Sequence, residues 1–249
     1  MTYAISDIHG CYAEFLELLK LIHFSEDDEL YILGDVVDRG KAPVKLLLDL
    51  MARPNVFLLI GNHEYMMCEV LKRALCEVTD ELVEQWDNDE TELKYTMELV
   101  MAWIEDGGGV TLTQLKELPN EQRRDILDYA LDAELYADLE INGKRFILAH
   151  ADFPKQGEGS VSDFCMNRAD YSRRYFKNEN TFLITGHTPT PVIREDKQPL
   201  VFEQNGHIAI DCGCVFGGKL AAYCLDTGES FYIDKLKKVE TDELVSDPF

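Results

Sequence analysis

Basic residues are scarce in this chain, which has 24 lysines and arginines against 47 aspartates and glutamates. The resulting formal net charge of −23 makes a surface that repels nucleic-acid phosphates and anionic membranes. We therefore expect neither nucleic acid nor a membrane as a partner, and nuclease activity is disfavoured. Such a surface suits cation binding, basic protein partners or, most simply, solubility.

Long hydrophobic runs and a disulfide framework are also missing. No apolar run reaches the length of about 20 residues that a membrane-spanning helix needs. A strand-like run begins at residue 3, so we expect no signal peptide. The seven cysteines are odd in number and form no repeated C-x-x-C pattern. We interpret them as buried side chains in a reducing compartment, with Cys212 and Cys214 packing at a strand end, and expect a cytoplasmic location.

The chain is long enough for a substantial core, with 249 residues of which 46% are hydrophobic. Strand-like and helix-like runs alternate in its first third, which favours a parallel α/β core. The predicted helices cover residues 12–22 and 43–51. The predicted strands cover residues 3–5, 30–33, 56–60, 146–149, 181–185, 208–210, 220–225 and 230–233.

The stretch from residue 65 to about 140 differs from the rest of the chain. Its pattern is helical, it is heavily acidic over residues 77–106, and it contains Trp86 and Trp103. No residue in it has the spacing of a metal ligand. We interpret it as a helical insertion or cap within a single domain of residues 1–249. Its acidic face is predicted to be solvated, with substrate recognition as the alternative.

Five strand-like runs end in short polar clusters. In the run from residue 30 to 40, the apolar stretch stops at Gly34 and is followed by Asp35, Asp38 and Arg39. The other four clusters contain Asp7 and His9, then Asn62 and His63, then His150, and finally His187. Open α/β sheets bind ligands beyond the carboxyl ends of their strands, so we expect these clusters to converge. The two remaining histidines, His23 and His207, are interpreted as ordinary polar residues.

The residue types in these clusters indicate metal chemistry. Clustered carboxylates repel one another unless a cation holds them together. Aspartate, histidine and asparagine form a mixed oxygen and nitrogen ligand set that suits Mn²⁺, Fe or Zn²⁺. The ligands are too many for one ion, which predicts two divalent metal ions sharing Asp35. Paired ions clamp the attacking and leaving oxygens of an in-line displacement, so we predict phosphoryl chemistry.

The motifs SDIHG, GDVVDRG, GNHE, HAD and GHT, in this order, resemble those of the phosphoprotein phosphatase family of binuclear metallophosphoesterases, and more narrowly its bacterial and phage members. The resemblance covers residues 1–64 and much of 145–234. It implies a calcineurin-like metallophosphoesterase fold of the α/β class, with a central β-sandwich flanked by helices and interrupted by the acidic insertion. It also implies a hydrolase that uses metal-activated hydroxide.

The resemblance further implies a set of metal ligands. The first metal would be bound by Asp7 and His9, both metals by Asp35, and the second by Asn62, His150 and His187. Asn62 would also lie against the bound phosphate.

The same resemblance implies catalytic and phosphate-binding roles. His63 would be the general acid for the leaving group, with Asp38 orienting its ring. Arg39 would bind the phosphoryl oxygens, an ion pair with Asp38 being its alternative role. Arg168 is the candidate for a second phosphate-binding arginine, with a plain surface position as the alternative. Two neighbouring arginines, Arg173 and Arg174, are weaker candidates.

Three functions compete. The preferred one is a phosphomonoesterase acting on phosphoserine or phosphothreonine in proteins, or on phosphotyrosine and small phosphoesters. The second is a symmetrical dinucleoside tetraphosphatase of the same fold, against which the intact VDRG and the GNHE rather than GNHD sequence are arguments. The third is a non-catalytic binding module, which is disfavoured because every expected ligand position is filled.

Overall fold

The helices and strands are described for residues 1–74, 90–154 and 157–236 of a computed structural model. The strands are β1 (Thr2–Ile5), β2 (Glu29–Ile32), β3 (Val56–Leu58), β4 (Tyr136–Ile141), β5 (Lys144–Ala149), β6 (Thr181–Thr185), β7 (Phe202–Gln204), β8 (His207–Ala209), β9 (Lys219–Cys224) and β10 (Ser230–Asp234). The helices are α1 (Tyr12–Leu21), α2 (Pro43–Met51), α3 (Asn62–Ala74), α4 (Glu90–Trp103), α5 (Gly109–Glu117), α6 (Asn120–Leu131), α7 (Val161–Cys165) and α8 (Thr190–Ile193), with a π-helical turn at Ile104–Gly108 and a 3₁₀ turn at Cys214–Phe216.

The strands form two mixed sheets. The first has the order β10-β9-β1-β2-β3, in which β1, β2 and β3 are parallel while β9 and β10 run antiparallel. The second has the order β4-β5-β6-β8-β7, with a parallel centre of β5, β6 and β8 and two antiparallel edges. Each sheet thus contributes three parallel strands whose carboxyl ends can carry functional loops.

Alternating side chains of β1 divide the apolar interior into two layers, as the period of two in a strand requires. Tyr3 and Ile5 pack on the helix side of the first sheet, together with residues of α1, α2 and α3. Ala4 faces the opposite way, into a cluster that includes Leu148 of β5 and Ile184 of β6. The two sheets therefore pack face to face, which confirms the predicted β-sandwich flanked by helices.

The predicted elements agree with the structure except at the edges of the second sheet and for the short helices α7 and α8, which were not predicted. Strand β4 begins within the stretch predicted to be helical to about residue 140, and β7 was not predicted at all. Both are edge strands without a fully buried residue, so they lack the apolar run by which a central strand is recognised. The predicted helical stretch also includes residues 75–89. These residues, Trp86 among them, lie outside the described part of the chain.

Two expectations from composition can be compared with the described residues. Six cysteines are free and buried: Cys11, Cys68, Cys165, Cys212, Cys214 and Cys224. This confirms their interpretation as buried side chains without disulfides, while Cys76 lies outside the described part. Within that part, none of the helices is both long and apolar enough to cross a bilayer.

Candidate metal centre and catalytic site

The loops that follow the parallel strands carry an unusual backbone conformation. Of the residues in the predicted site, Asp7, His9, Asp35, Asp38, Arg39 and His187 all have φ between 44° and 71°. Residues other than glycine rarely adopt this left-handed region, because the Cβ atom crowds the backbone. Such strain persists only where the surrounding structure imposes it, and it concentrates at functional sites.

Two motif glycines let the β2 and β3 loops approach closely. Gly34 has φ of +76°, and a Cβ atom at this position would lie 2.5 Å from the Cα atom of Gly61. No other residue could occupy Gly34 without separating the loops. The contact brings the loop bearing Asp35 against the one bearing Asn62 and His63.

Glu64, the last residue of the GNHE motif, holds these loops together. Its carboxylate is fully buried and accepts hydrogen bonds from the backbone N–H groups of Asp35 (2.7 Å), Val36 (2.8 Å), Val37 (3.1 Å) and Gly61 (3.1 Å). Four donors satisfy a buried carboxylate that would otherwise be costly. Sequence analysis assigned no role to Glu64, whose part in the site is to shape the backbone.

One group of donor atoms gathers around the amide oxygen of Asn62. His150 Nε2 and His187 Nδ1 each lie 3.0 Å from Asn62 Oδ1 and 3.2 Å from each other. Asp35 Oδ1 lies 3.5 Å from His150 Nε2. These four residues, which follow four different strands, were all predicted as metal ligands. In the structure, the candidate donor atoms of these residues lie close together.

A second group faces the other oxygen of Asp35. His9 Nε2 lies 3.5 Å and His63 Nε2 3.9 Å from Asp35 Oδ2. The two carboxylate oxygens of Asp35 thus face separate sets of imidazoles, as a shared ligand requires. Asp7 is buried nearby, but its Oδ2 atom accepts hydrogen bonds from the His187 backbone N–H (2.9 Å) and from the Ser6 hydroxyl.

Backbone carbonyls orient two of the imidazoles. His9 Nδ1 lies 2.8 Å from the Val37 carbonyl oxygen, and His150 Nδ1 lies 2.6 Å from that of Leu33. A carbonyl can only accept, so Nδ1 carries the proton in both rings and Nε2 presents a lone pair. A hydrogen-bonded second nitrogen of this kind is usual for histidines that ligate metals.

The electrostatics of the site call for a cation. Burial, together with the charges of Asp7 and Glu64, raises the pKa of Asp35 well above its ordinary value. Burial and the nearby His63 charge lower the pKa of His9, and burial lowers that of His187 to about 3. Neutral imidazoles converging with repelling carboxylates form a donor set that divalent cations satisfy. The residues present therefore fit the metal ions that the motifs imply.

His63 and Asp38 form a fully buried pair. His63 Nδ1 lies 2.6 Å from Asp38 Oδ2, while His63 Nε2 has no hydrogen-bond partner. Asp38 also accepts hydrogen bonds from the indole N–H of Trp103 (2.8 Å) and the hydroxyl of Thr111 (2.5 Å). Three donors hold this carboxylate in one orientation, and the imidazole ring with it.

Arg39 pairs with a different carboxylate from the one expected. The alternative of an ion pair with Asp38 is wrong, because that carboxylate is turned inward. Arg39 instead places Nη2 2.7 Å from Asp106 Oδ1 and Nη1 2.8 Å from His9 Nε2. Asp106 Oδ2 lies 3.5 Å from His63 Nε2. The guanidinium carbon of Arg39 lies 5.4 Å from the ring centroid of Phe216.

The three later arginines have different surroundings. Arg168 is exposed, and its charge helps to lower the pKa of His187, after burial and the charge of His150. Arg173 lies 3.8 Å from Asp170. Arg174 donates to the backbone carbonyls of its own loop. Of the three, Arg168 is the one whose charge acts on a predicted ligand.

Sequence analysis missed several residues of this site. Trp103, Asp106 and Thr111 lie in or just beyond the acidic block, whose predicted role was a solvated face. Their contacts with Asp38 and Arg39 correct that interpretation for this end of the block. Asp211 is also buried, and burial with the charge of Asp7 raises its pKa. Because Asp211 follows a strand as Asp7 and Asp35 do, the same pattern could have found it.

Comparisons with known proteins agree with this geometry. The calcineurin-like phosphoesterase family matches residues 2–191. An asymmetrical bis(5'-nucleosyl)-tetraphosphatase, PrpE of Geobacillus sp. (strain WCH70), is 29% identical over 88% of both chains. A symmetrical one from Nitrosococcus oceani is 28% identical over 93% of this chain and 96% of its own. A crystal structure provisionally named as a diadenosine tetraphosphatase superposes with a TM-score of 0.60 at 17% identity, covering 95% of this chain and 94% of the other. The chain therefore belongs to the calcineurin-like phosphoesterase family and is a hydrolase of the metallophosphoesterase superfamily.

Proposed function

We propose that this protein is a metal-dependent hydrolase of dinucleoside tetraphosphates, which was the alternative rather than the preferred function in the sequence analysis. The observation that carries hydrolysis of a phosphoanhydride bond is that imidazoles from different loops face the two oxygens of Asp35, beside the guanidinium of Arg39. The choice of substrate is supported by two relatives that are named tetraphosphatases and match over most of both chains.

The glutamate of GNHE, which in the sequence disfavours a dinucleotide substrate, lies away from any position that could select the substrate. The glutamate of this motif, Glu64, is fully buried, and its carboxylate oxygens accept hydrogen bonds from four backbone N–H groups. A side chain that is fully buried and hydrogen-bonded to the backbone in this way is not available to contact a substrate. Glutamate here therefore does not discriminate between a phosphoprotein and a dinucleotide.

The described geometry suggests a role for each residue. Asn62, His150, His187 and Asp35 would hold one cation, and Asp35 with His9 and Asp7 the other. When bound, these cations lower the pKa of water and neutralise charge on the phosphoryl group.

The remaining residues would act on the substrate itself. Arg39 would bind phosphoryl oxygens, for which a planar guanidinium is well suited. His63 would donate a proton from Nε2 to the leaving oxygen, held in position by Asp38 through Nδ1.

A phosphoserine and phosphothreonine phosphatase remains the second candidate. The observation in its favour is the GDVVDRG and GNHE pair of motifs, with Asp38, Arg39 and His63 placed together at one site. The geometry around Asp35 would serve either substrate. The two candidates differ in what lies beyond the scissile phosphate.

Side-by-side turnover tests the proposal. Purified protein with Mn²⁺ is given diadenosine tetraphosphate, a phosphoserine peptide and p-nitrophenyl phosphate, and nucleotide products are separated by chromatography. We expect the highest kcat/KM for the tetraphosphate, with activity abolished by a chelator. Products of ATP and AMP would indicate asymmetrical cleavage, and two ADP symmetrical cleavage. Efficient turnover of the peptide with no turnover of the tetraphosphate would overturn the proposal.

A pair of variants tests the role of Asp35. Asp35→Asn should be inactive, while Asp27→Asn, which changes an exposed carboxylate, is the matched control and should keep its activity.

A further inference from the structure

Phe216 is a large apolar side chain left in solvent at the edge of the site. The residue is 67% exposed, the highest value among the exposed large hydrophobic residues of the described part of the chain. It is the last residue of the 3₁₀ turn Cys214–Phe216 and lies beside Arg39. One exposed apolar residue is ordinary on a protein surface. Its position next to the proposed phosphate-binding arginine, however, indicates contact with a substrate.

The loop that presents Phe216 is held firmly. Gly213 and Gly217, on either side of the turn, have φ of +69° and +94°, which reverses the chain sharply. The Gly213 N–H donates to Asp211 Oδ1 (2.8 Å), and the Phe216 N–H donates to the Gly213 carbonyl (3.0 Å). Cys214, at the start of the turn, is buried. The ring is therefore presented by a preorganised loop, so a ligand need not order it on binding.

Because the chain is strongly acidic, a contact with an uncharged part of a nucleotide would strengthen binding without meeting charge repulsion. With a net charge of −23, the chain as a whole repels a polyphosphate, which the bound cations and Arg39 would attract locally. A nucleotide carries, besides its phosphates, a flat and uncharged base. An aromatic side chain binds any base by stacking, without a specific hydrogen bond.

We propose that Phe216 is a stacking platform for one nucleobase of the substrate. This inference rests on the proposed function, because it assigns the part of a dinucleoside tetraphosphate that Phe216 binds. The phosphoryl group lies at Arg39 and the base extends over the neighbouring ring, which is 5.4 Å from the guanidinium carbon. Phe216 is a specificity-determining residue that acts on the nucleoside and leaves the phosphoryl chemistry unchanged.

The chain provides a matched control for this role. Tyr95 on α4 is 46% exposed, and the guanidinium carbon of Arg73 lies 5.5 Å from its ring centroid. This arrangement repeats that of Phe216 and Arg39 near the far end of α3, about 15 Å along the helix from His63. Tyr95→Ala thus removes an exposed ring stacked on an arginine, without touching the site.

The test compares Phe216→Ala, Phe216→Leu, Phe216→Tyr and Tyr95→Ala with the unmodified protein. With Mn²⁺ present, kcat and KM are measured for diadenosine tetraphosphate, inorganic tetraphosphate and p-nitrophenyl phosphate, and inhibition constants for AMP and inorganic phosphate. For Phe216→Ala and Phe216→Leu we expect KM for the dinucleotide and the inhibition constant of AMP to rise about 5- to 100-fold. The values for substrates and inhibitors without a base should change less than about 2-fold. Phe216→Tyr and Tyr95→Ala should behave as the unmodified protein.

The outcomes separate this inference from the proposed function. If the unmodified protein cleaves diadenosine tetraphosphate but Phe216→Ala leaves KM and the AMP inhibition constant unchanged, the platform is refuted while the function stands. Equal losses with AMP and inorganic phosphate would also refute it, because the ring would then act only through Arg39. An unmodified protein that cleaves p-nitrophenyl phosphate but no dinucleotide would refute the proposed function itself.

Discussion

Removing the hydroxyl of Thr111 tests whether the acidic block positions the catalytic acid. Thr111 is fully buried, donates to Asp38 Oδ1 (2.5 Å) and accepts from the Asp38 backbone N–H (3.0 Å). Thr111→Val keeps the shape of the side chain and removes both hydrogen bonds. The carboxylate loses one of its three donors, and a buried N–H loses its acceptor.

The magnitude follows from these two bonds. A hydrogen bond to a charged group contributes about 1.5–3 kcal/mol, and an orphaned buried N–H costs about 1–3 kcal/mol. We expect the free energy of unfolding to fall by about 2.5–6 kcal/mol. A looser Asp38 aligns His63 less well, which should reduce kcat for phenyl phosphate about 10-fold. This loss is smaller than the roughly 10²–10⁴-fold that proton transfer contributes as a whole.

The assay compares leaving groups. Turnover of phenyl phosphate, which needs a proton on its leaving oxygen, should fall further than that of p-nitrophenyl phosphate, which leaves readily without one. Thr113→Val is the matched control, because this exposed hydroxyl on the same helix donates only to the Gly109 carbonyl (2.8 Å). Equal losses for both esters, or a Thr111→Val variant no different from Thr113→Val, would refute the reasoning.

Three further changes give distinct results. His63→Asn should keep its metal content, measured by mass spectrometry, but lose far more activity on phenyl phosphate than on p-nitrophenyl phosphate; equal losses would remove His63 from the acid role. Asp35→Asn should abolish the rise in melting temperature that Mn²⁺ produces in the unmodified protein, and an unchanged rise would exclude Asp35 as a shared ligand. Burial lowers the pKa of His207 to about 4, so below its ordinary value of 6.5 the unfolded chain binds a proton that the folded chain does not. Acidification therefore destabilises the fold, and His207→Gln should remove about 2–3 kcal/mol of that loss between about pH 7 and pH 4.5 in urea titrations; identical pH dependence of the two proteins would contradict this.

The residues predicted as ligands could be proposed without a structure because each follows an apolar strand. Asp35, Asn62 and His150 stand at the ends of runs whose composition already indicates burial, and parallel strands bring such ends together. The chemistry of carboxylate, amide and imidazole then restricts what can bind there. The same argument could have included Asp211, which follows β8.

The residues around His63 had no comparable signal. Trp103 and Thr111 lie in helical sequence, where an indole or a hydroxyl is usually explained by packing or a cap. Their hydrogen bonds to Asp38 span 65 and 73 residues. Contacts over such distances depend on how α4 and α5 pack against the β2 loop, which no local pattern encodes.

The sequence by itself determined the central strands, the loops that follow them and the kind of atoms those loops offer, because composition and spacing indicate which residues are buried and which can act as ligands. Only the tertiary structure decided that Glu64 shapes the backbone, that Asp106 pairs with Arg39, and that Phe216 stands exposed beside it. These outcomes depend on which side chains meet across elements distant in sequence. They are decided by the packing of the whole chain, in which most buried polar groups must find a hydrogen-bond partner.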